Sequence, residues 1–179
     1  MKSNAAALNF DIFAIGRMSA YSTITIEPEE AVEAALVSRL TAAVTIPVEG
    51  VMTTAASGEV KRLTADTFLS VAIDLASQDL DFCGPRVPCT FTARVTVHYA
   101  LADDPNAAAF RDTCRATRAA LLALTGDGCD DLGASGFACD AFILDSTSTS
   151  FEAGENPTNT KTYSATIKGR ITNTNETEA

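Results

Sequence analysis

From Thr90 to Leu101 the sequence TFTARVTVHYAL alternates apolar and polar residues without a break, and no other stretch limits the fold as tightly. Phe91, Ala93, Val95, Val97, Tyr99 and Leu101 fall on one side. Thr90, Thr92, Arg94, Thr96 and His98 fall on the other. A period of two over this length is a strand with one buried face and one wetter face. At Asp103-Asp104-Pro105 the period changes. The aspartates are expected to cap orphan N–H groups, and Pro105 or the residue after it to start a first helical turn. Ala107, Phe110, Cys114, Thr117, Leu121 and Leu124 then recur at spacings of three and four, the apolar stripe of an amphipathic helix. Gly126 is a suitable stop for it.

The remaining elements can be arranged on that strand and helix. Pro28 opens a helix, PEEAVEAALVSRLTAAV, with Glu29 and Glu30 in the first turn, where the macrodipole favours negative charge, and Arg39 near its end. Val32, Ala35, Leu36, Leu40 and Ala43 form its inward stripe. Ile46-Pro47-Val48 reads as a short extended piece, and 50–66 mostly as loop. Thr67 to Ala76 alternates, with Leu69, Val71, Ile73 and Leu75 on one side. The connection SQDLDFCGPRVPC carries turn signals at Gly84-Pro85 and Pro88 and implies an antiparallel pair with the strand that follows. After the second helix, GDGCDDLGASG reads as a loop. Phe137 to Ser150 is a strand, apolar first and polar later. Residues 152–160 form a turn. Lys161 to Asn173 is the last strand, with Tyr163, Ala165, Ile167 and Ile171 on one face and Gly169 between them.

These elements predict an α+β fold: a mostly antiparallel sheet with two helices packed on one face, plus an extended N-terminal arm. The arm spans 1–27, a single α+β domain 28–173, and a polar tail, expected to fray, 174–179. In the arm, Phe10 and Ile12 share a weak strand pattern with Ala14 and Gly16, while Phe13 and Ile15 lie on the opposite side. A segment apolar on both faces wants cover on both. Phe10, Ile12, Phe13 and Ile15, with Arg17 beside them, are therefore the candidate subunit-interface residues.

Composition narrows function by exclusion. The chain has 179 residues, 46% of them hydrophobic, and a formal net charge of −10, with an isoelectric point near 4.4. Wrapping DNA needs clustered Lys and Arg, so a DNA-gripping role is not expected. The opening MKSNAAALNFDIF lacks the apolar core of a secretion signal, and no run approaches the ~20 apolar residues of a membrane span. The expectation is a chain made and kept in a cytosol. Five cysteines, Cys83, Cys89, Cys114, Cys129 and Cys139, are an odd count that argues against a disulfide framework.

No catalytic constellation is visible. His98 is the one histidine, on a strand's polar face without an evident partner, and reads as a surface or rim residue. The cysteine spacings lack the second pair or histidines of a zinc site. Asp127, Asp130 and Asp131 do not fit a calcium loop. Gly133-Ala134-Ser135-Gly136 is not a nucleophile elbow, and no Walker or dinucleotide glycine pattern occurs. The expectation is a protein that is not an enzyme and needs no cofactor and no metal.

The order of elements resembles a known family. A helix beginning EPEEAVEAALVSRL, strands, a long strand ending in ADDPNAAAF and a second helix, then FACDAFILDSTSTS and KTYSATIKGRITN, are similar in layout to the tail-terminator and neck-joining proteins of tailed bacteriophages. The resemblance covers roughly 28–173 and rests on element order and texture. It implies a structural virion subunit, assembled in the host cytoplasm, in a homo-oligomeric ring, commonly a hexamer, around the DNA channel. The implied partners are further copies of itself and neighbouring tail-tube or connector proteins. DNA would be a passing, non-specific neighbour, and no membrane is involved. An acidic wall suits such a passage because it repels phosphate. The competing class is a non-catalytic cytosolic binding module whose sheet face, or the loop at 77–89, holds a small ligand or a protein partner. A hydrolase would require hidden geometry around His98 and the aspartates.

Overall fold

The computed structural model describes residues 27–50, 67–78, 88–100, 107–152 and 160–174. In chain order these form α1 (Pro28–Ala43), β1 (Val48–Gly50), β2 (Phe68–Gln78), β3 (Pro88–Ala100), α2 (Ala108–Leu122), a 3-10 turn (Gly126–Leu132), β4 (Phe137–Glu152) and β5 (Thr160–Asn173). The strands make one sheet in the order β1-β2-β3-β5-β4. β1 runs parallel to β2 and every other pairing is antiparallel. The fold is α+β, as the periodicities require. The arm, with Phe10, Ile12, Phe13, Ile15 and Arg17, lies outside the described residues, as do Asp103, Asp104, Pro105 and Cys83.

The core sits between the two helices and one face of the sheet. Leu69 and Val71 of β2, Phe91, Ala93, Val95 and Val97 of β3, and Ala165, Ile167 and Ile171 of β5 point inward and are fully buried. α1 covers β1 and β2, while α2 lies over β3 and β5. α1 presents Ala31, Val32, Ala35, Leu36 and Leu40 to this core. Ala43, expected on that stripe, is exposed, because the helix ends there and the chain leaves through Val44. In its place α1 buries Glu33, which is 1% exposed. A Cβ on Gly50 would collide with the Glu33 carboxylate, so the glycine of β1 makes room for a buried acid.

The second helix corrects two expectations. It ends at Leu122, four residues before Gly126, with Ala123 still in the right-handed region. The chain tightens into three-residue hydrogen bonds, Leu124 N–H to Leu121 O at 3.2 Å and Thr125 N–H to Leu122 O at 3.1 Å, as helix ends commonly do. Gly126, at φ +62°, therefore opens the 3-10 turn and does not stop α2. The segment read as a Gly/Asp loop is this turn, and it is tied down because Cys129 and Leu132 are buried. At the other end, Ala107 holds a left-handed φ of 51°, and no side chain among the described residues caps the helix.

β2 and β3 each extend into the stretch read as their connection, ending at Gln78 and starting at Pro88. A proline fits the first residue of a strand. β1 lies at 48–50, displaced by two residues from the piece read at 46–48. Gly169 of β5 pairs with Phe91 on one side and Phe142 on the other. The two rings meet at 6.5 Å between centroids. A Cβ on Gly169 would strike the Phe91 ring, so the glycine is what lets the aromatics close over the strand.

Candidate assembly surfaces and a cationic groove

Helices cover one face of the sheet; the other carries mostly hydroxyls and charges. Its rungs run Phe68–His98–Thr162–Ser150, Ser70–Thr96–Ser164–Ser148 and Ala72–Arg94–Thr166–Ser146 across β2, β3, β5 and β4. Within these rungs Thr96 and Ser164 hydroxyls lie 3.3 Å apart, and Ser150 bonds Thr162. His98 stacks on Phe68 with centroids 4.6 Å apart, and its Nε2 lies 3.4 Å from Ser70 Oγ. The ring is half-buried and packed on its neighbours.

Among the described residues β4 is an edge strand of the sheet, paired with β5. Two bulges interrupt its register, between Cys139 and Ala141 and between Leu144 and Ser146. The extra residues are Asp140 and Asp145. Both turn to the open face, where β5 answers them. Arg170 lies 3.5 Å from Asp140, Thr172 donates to the same carboxylate, and Lys168 lies 3.1 Å from Asp145. Exposed ion pairs of this kind stabilise little. Their effect is to place acids on an edge that would otherwise invite pairing. Beyond the second bulge the strand continues as exposed Ser146, Thr147, Ser148, Thr149, Ser150 and Phe151. Ile143 and Phe151, 59% and 54% exposed, are large apolar side chains on this edge.

Two recesses border β4. The first, about 590 Å³, is lined by Asp127, Cys129 and Asp130 of the 3-10 turn and by Asp140, Phe142 and Ile143 of β4. The second, about 480 Å³, is lined by Phe110, Arg111, Cys114, Arg115 and Arg118 of α2, Thr149 of β4, and Lys161 and Tyr163 of β5. Its floor is apolar and its rim cationic. Lys161 Nζ sits 5.8 Å from the centroid of the Phe110 ring. Phe110 also meets Tyr99 edge to face at 5.7 Å. The Tyr163 hydroxyl is buried, with no hydrogen-bond partner among the described residues. Burial pushes its pKa up, and the Arg118 guanidinium pulls against that.

Among the described residues no three of His, Cys, Asp or Glu gather as metal ligands. Cys89, Cys114, Cys129 and Cys139 are free thiols. Cys129 donates to the Cys139 carbonyl at 3.2 Å. Burial raises the Cys139 thiol to about 12 and Cys114 to about 11, the opposite of a reactive thiolate. The aspartates of the 3-10 turn, Asp127, Asp130 and Asp131, are exposed.

No known family model and no curated protein matches this chain. The groove is the feature that residue reading missed. Its signal is the spacing RDTCRATR, which puts Arg111, Arg115 and Arg118 on one side of a helix in an acidic chain.

Proposed function

We propose that the chain is a structural virion subunit of a phage tail or head–tail joint, of the tail-terminator or neck type, assembling as a ring around the DNA path. The observation that carries this reading is the open sheet face together with the exposed far end of β4, an edge strand among the described residues. A strand that stays paired to β5 through Glu152 while burying none of Asp145–Phe151 offers surface for a neighbouring subunit. The net charge of −10 suits the wall of a DNA passage. The arm residues Phe10, Ile12, Phe13 and Ile15 gain most when a neighbour covers them. The test is native mass spectrometry and electron microscopy of purified full chain beside a variant lacking residues 1–20. The expected result is rings of uniform size from the full chain and a folded variant that assembles poorly. A full chain that stays monomeric, or unchanged rings from the variant, would sink the arm argument.

The second reading, a non-catalytic binding module, is favoured by one observation, the cationic groove with its unpartnered tyrosine. The loop at 77–89 that the sequence suggests for this role lies mostly outside the described residues.

A further inference from the structure

We propose that the groove between α2 and the far end of β4 is a binding site for an oxyanion, a carboxylate or a phosphate, carried on a flat apolar body. The inference stands independently of ring assembly and goes beyond it.

The cations come first. Arg111, Arg115 and Arg118 stand at i, i+4 and i+7 on α2, and Lys161 of β5 faces them across the groove. Like charges at these helical spacings repel, in a chain whose acids outnumber its bases by 23 to 13. The chain nevertheless leaves them poorly answered. Arg115 pairs with Asp112 at 3.0 Å, both side chains more than 70% exposed, so the contact is readily exchanged. Neither Arg111 nor Arg118 has an acidic partner among the described residues. An oxyanion between them would turn repulsion into paired, fork-shaped hydrogen bonds, the geometry guanidinium groups favour.

Tyr163 supplies an independent pointer. Its side chain lines the groove and is 7% exposed, yet among the described residues its hydroxyl has no hydrogen-bond partner. Buried polar groups are nearly always paired, and an orphan costs free energy until something pairs it. A phenol O–H within electrostatic reach of the Arg118 guanidinium is a donor that an anion in the groove would satisfy. The Thr149 hydroxyl, on the β4 wall, is a further donor. Phe110, the Tyr163 ring and Cys114 leave the rest of the lining apolar, so the anion is expected to carry a flat apolar group. About 480 Å³ suits a small ligand or one inserted side chain with its neighbour.

The oxyanion has two possible sources: a free small molecule, or an acidic residue of a second copy of this chain. Phenyl phosphate, which joins both features, is the probe, with inorganic phosphate as the control. Calorimetric titration of the full chain should show phenyl phosphate binding about tenfold or more tighter than inorganic phosphate, the apolar body supplying the difference. The exposed double variant Arg115→Gln/Arg118→Gln and, separately, Tyr163→Phe should each weaken binding about tenfold. Tyr163→Phe should unfold no earlier than wild type, because it removes the orphan hydroxyl. Sedimentation with and without the probe separates the sources. If phenyl phosphate dissociates an assembly that the double variant also loses, the anion comes from a second copy. If it binds with no change in mass, the ligand is free. Absence of both binding and dissociation at millimolar probe overturns the proposal, as does undiminished binding by Tyr163→Phe and the double variant. Equal affinity for inorganic phosphate removes the apolar body from the inferred ligand. An intact ring with an inert groove would sink this inference and leave the ring reading standing.

Discussion

Within β4, Phe137, Cys139 and Phe142 are buried, whereas every residue from Asp145 to Phe151 is exposed. Both stretches are nevertheless paired to β5, out to Glu152 opposite Thr160. Near the 3-10 turn, side chains fill the core beside Phe91 and Cys129. Toward the other end, backbone pairing and hydroxyl contacts such as Ser150–Thr162 hold the strand with little burial. Backbone hydrogen bonds contribute a modest net stability, and packing supplies most of the rest. The near half is therefore required by the fold. The far half is free to answer to something outside it: a neighbouring subunit on its edge, or a ligand in the groove that Thr149 borders.

Substitutions should reproduce that asymmetry. Phe142→Ala removes a ring that is 2% exposed and should cost about 3–5 kcal/mol, read by urea unfolding. A loss under about 1 kcal/mol, the scale of an ordinary substitution, would mean that the near half is not part of the core. Gly169→Ala puts a methyl group against the Phe91 ring. Overpacking of this kind costs about 1–3 kcal/mol. A Gly169→Ala protein as stable as wild type would show that the Phe91 and Phe142 rings do not close over β5.

Much of this contrast is legible in the sequence and part of it is not. The stretch FACDAFILDSTSTS reads directly as apolar first and polar later, and the alternation of β3 fixes which face meets the helices. The bulges are not legible, because a bulge is a property of a strand pair. Reading alternate residues from Phe137 puts Ala141 and Ile143 inside, whereas the extra Asp140 brings Phe142 and Leu144 inward and leaves Ile143 exposed. Only Arg170 and Lys168 on the neighbouring strand show why aspartate stands at each bulge. Glu33 escapes notice for the same reason, since its space depends on Gly50 in another element. The arm residues proposed as an interface fall outside the described part of the chain. The cationic groove is not legible from the apolar stripe of α2, because its other walls come from β4 and β5.

Alkali should act on the packed end of β4. Burial holds the Cys139 thiol at about 12, above its ordinary 9.0, so the folded chain keeps a proton that the unfolded chain releases. The folded state then binds more protons, and stability falls as pH rises. The contribution is full below pH 9 and is lost progressively as pH climbs through the folded value near 12. Thermal unfolding between about pH 8 and 11 should show a falling midpoint. A flat profile would mean that the thiol is not sealed in the core.

Phe151→Ser is expected to have the smallest effect on stability. The ring is 54% exposed, pairs with Lys161 across the ladder, and lies in the stretch where nothing is buried. Surface changes of this kind fall within about 0.5 kcal/mol, so the unfolding midpoint should stay at the wild-type value. An exposed phenylalanine at the end of an edge strand has little value to the isolated chain, and it favours association wherever a partner covers it. If the far half serves as a contact surface, Phe151→Ser should weaken self-association in sedimentation while leaving the fold unchanged. A lowered midpoint would assign the ring to the fold, and an unchanged midpoint with unchanged association would assign the contact to the open sheet face or the arm.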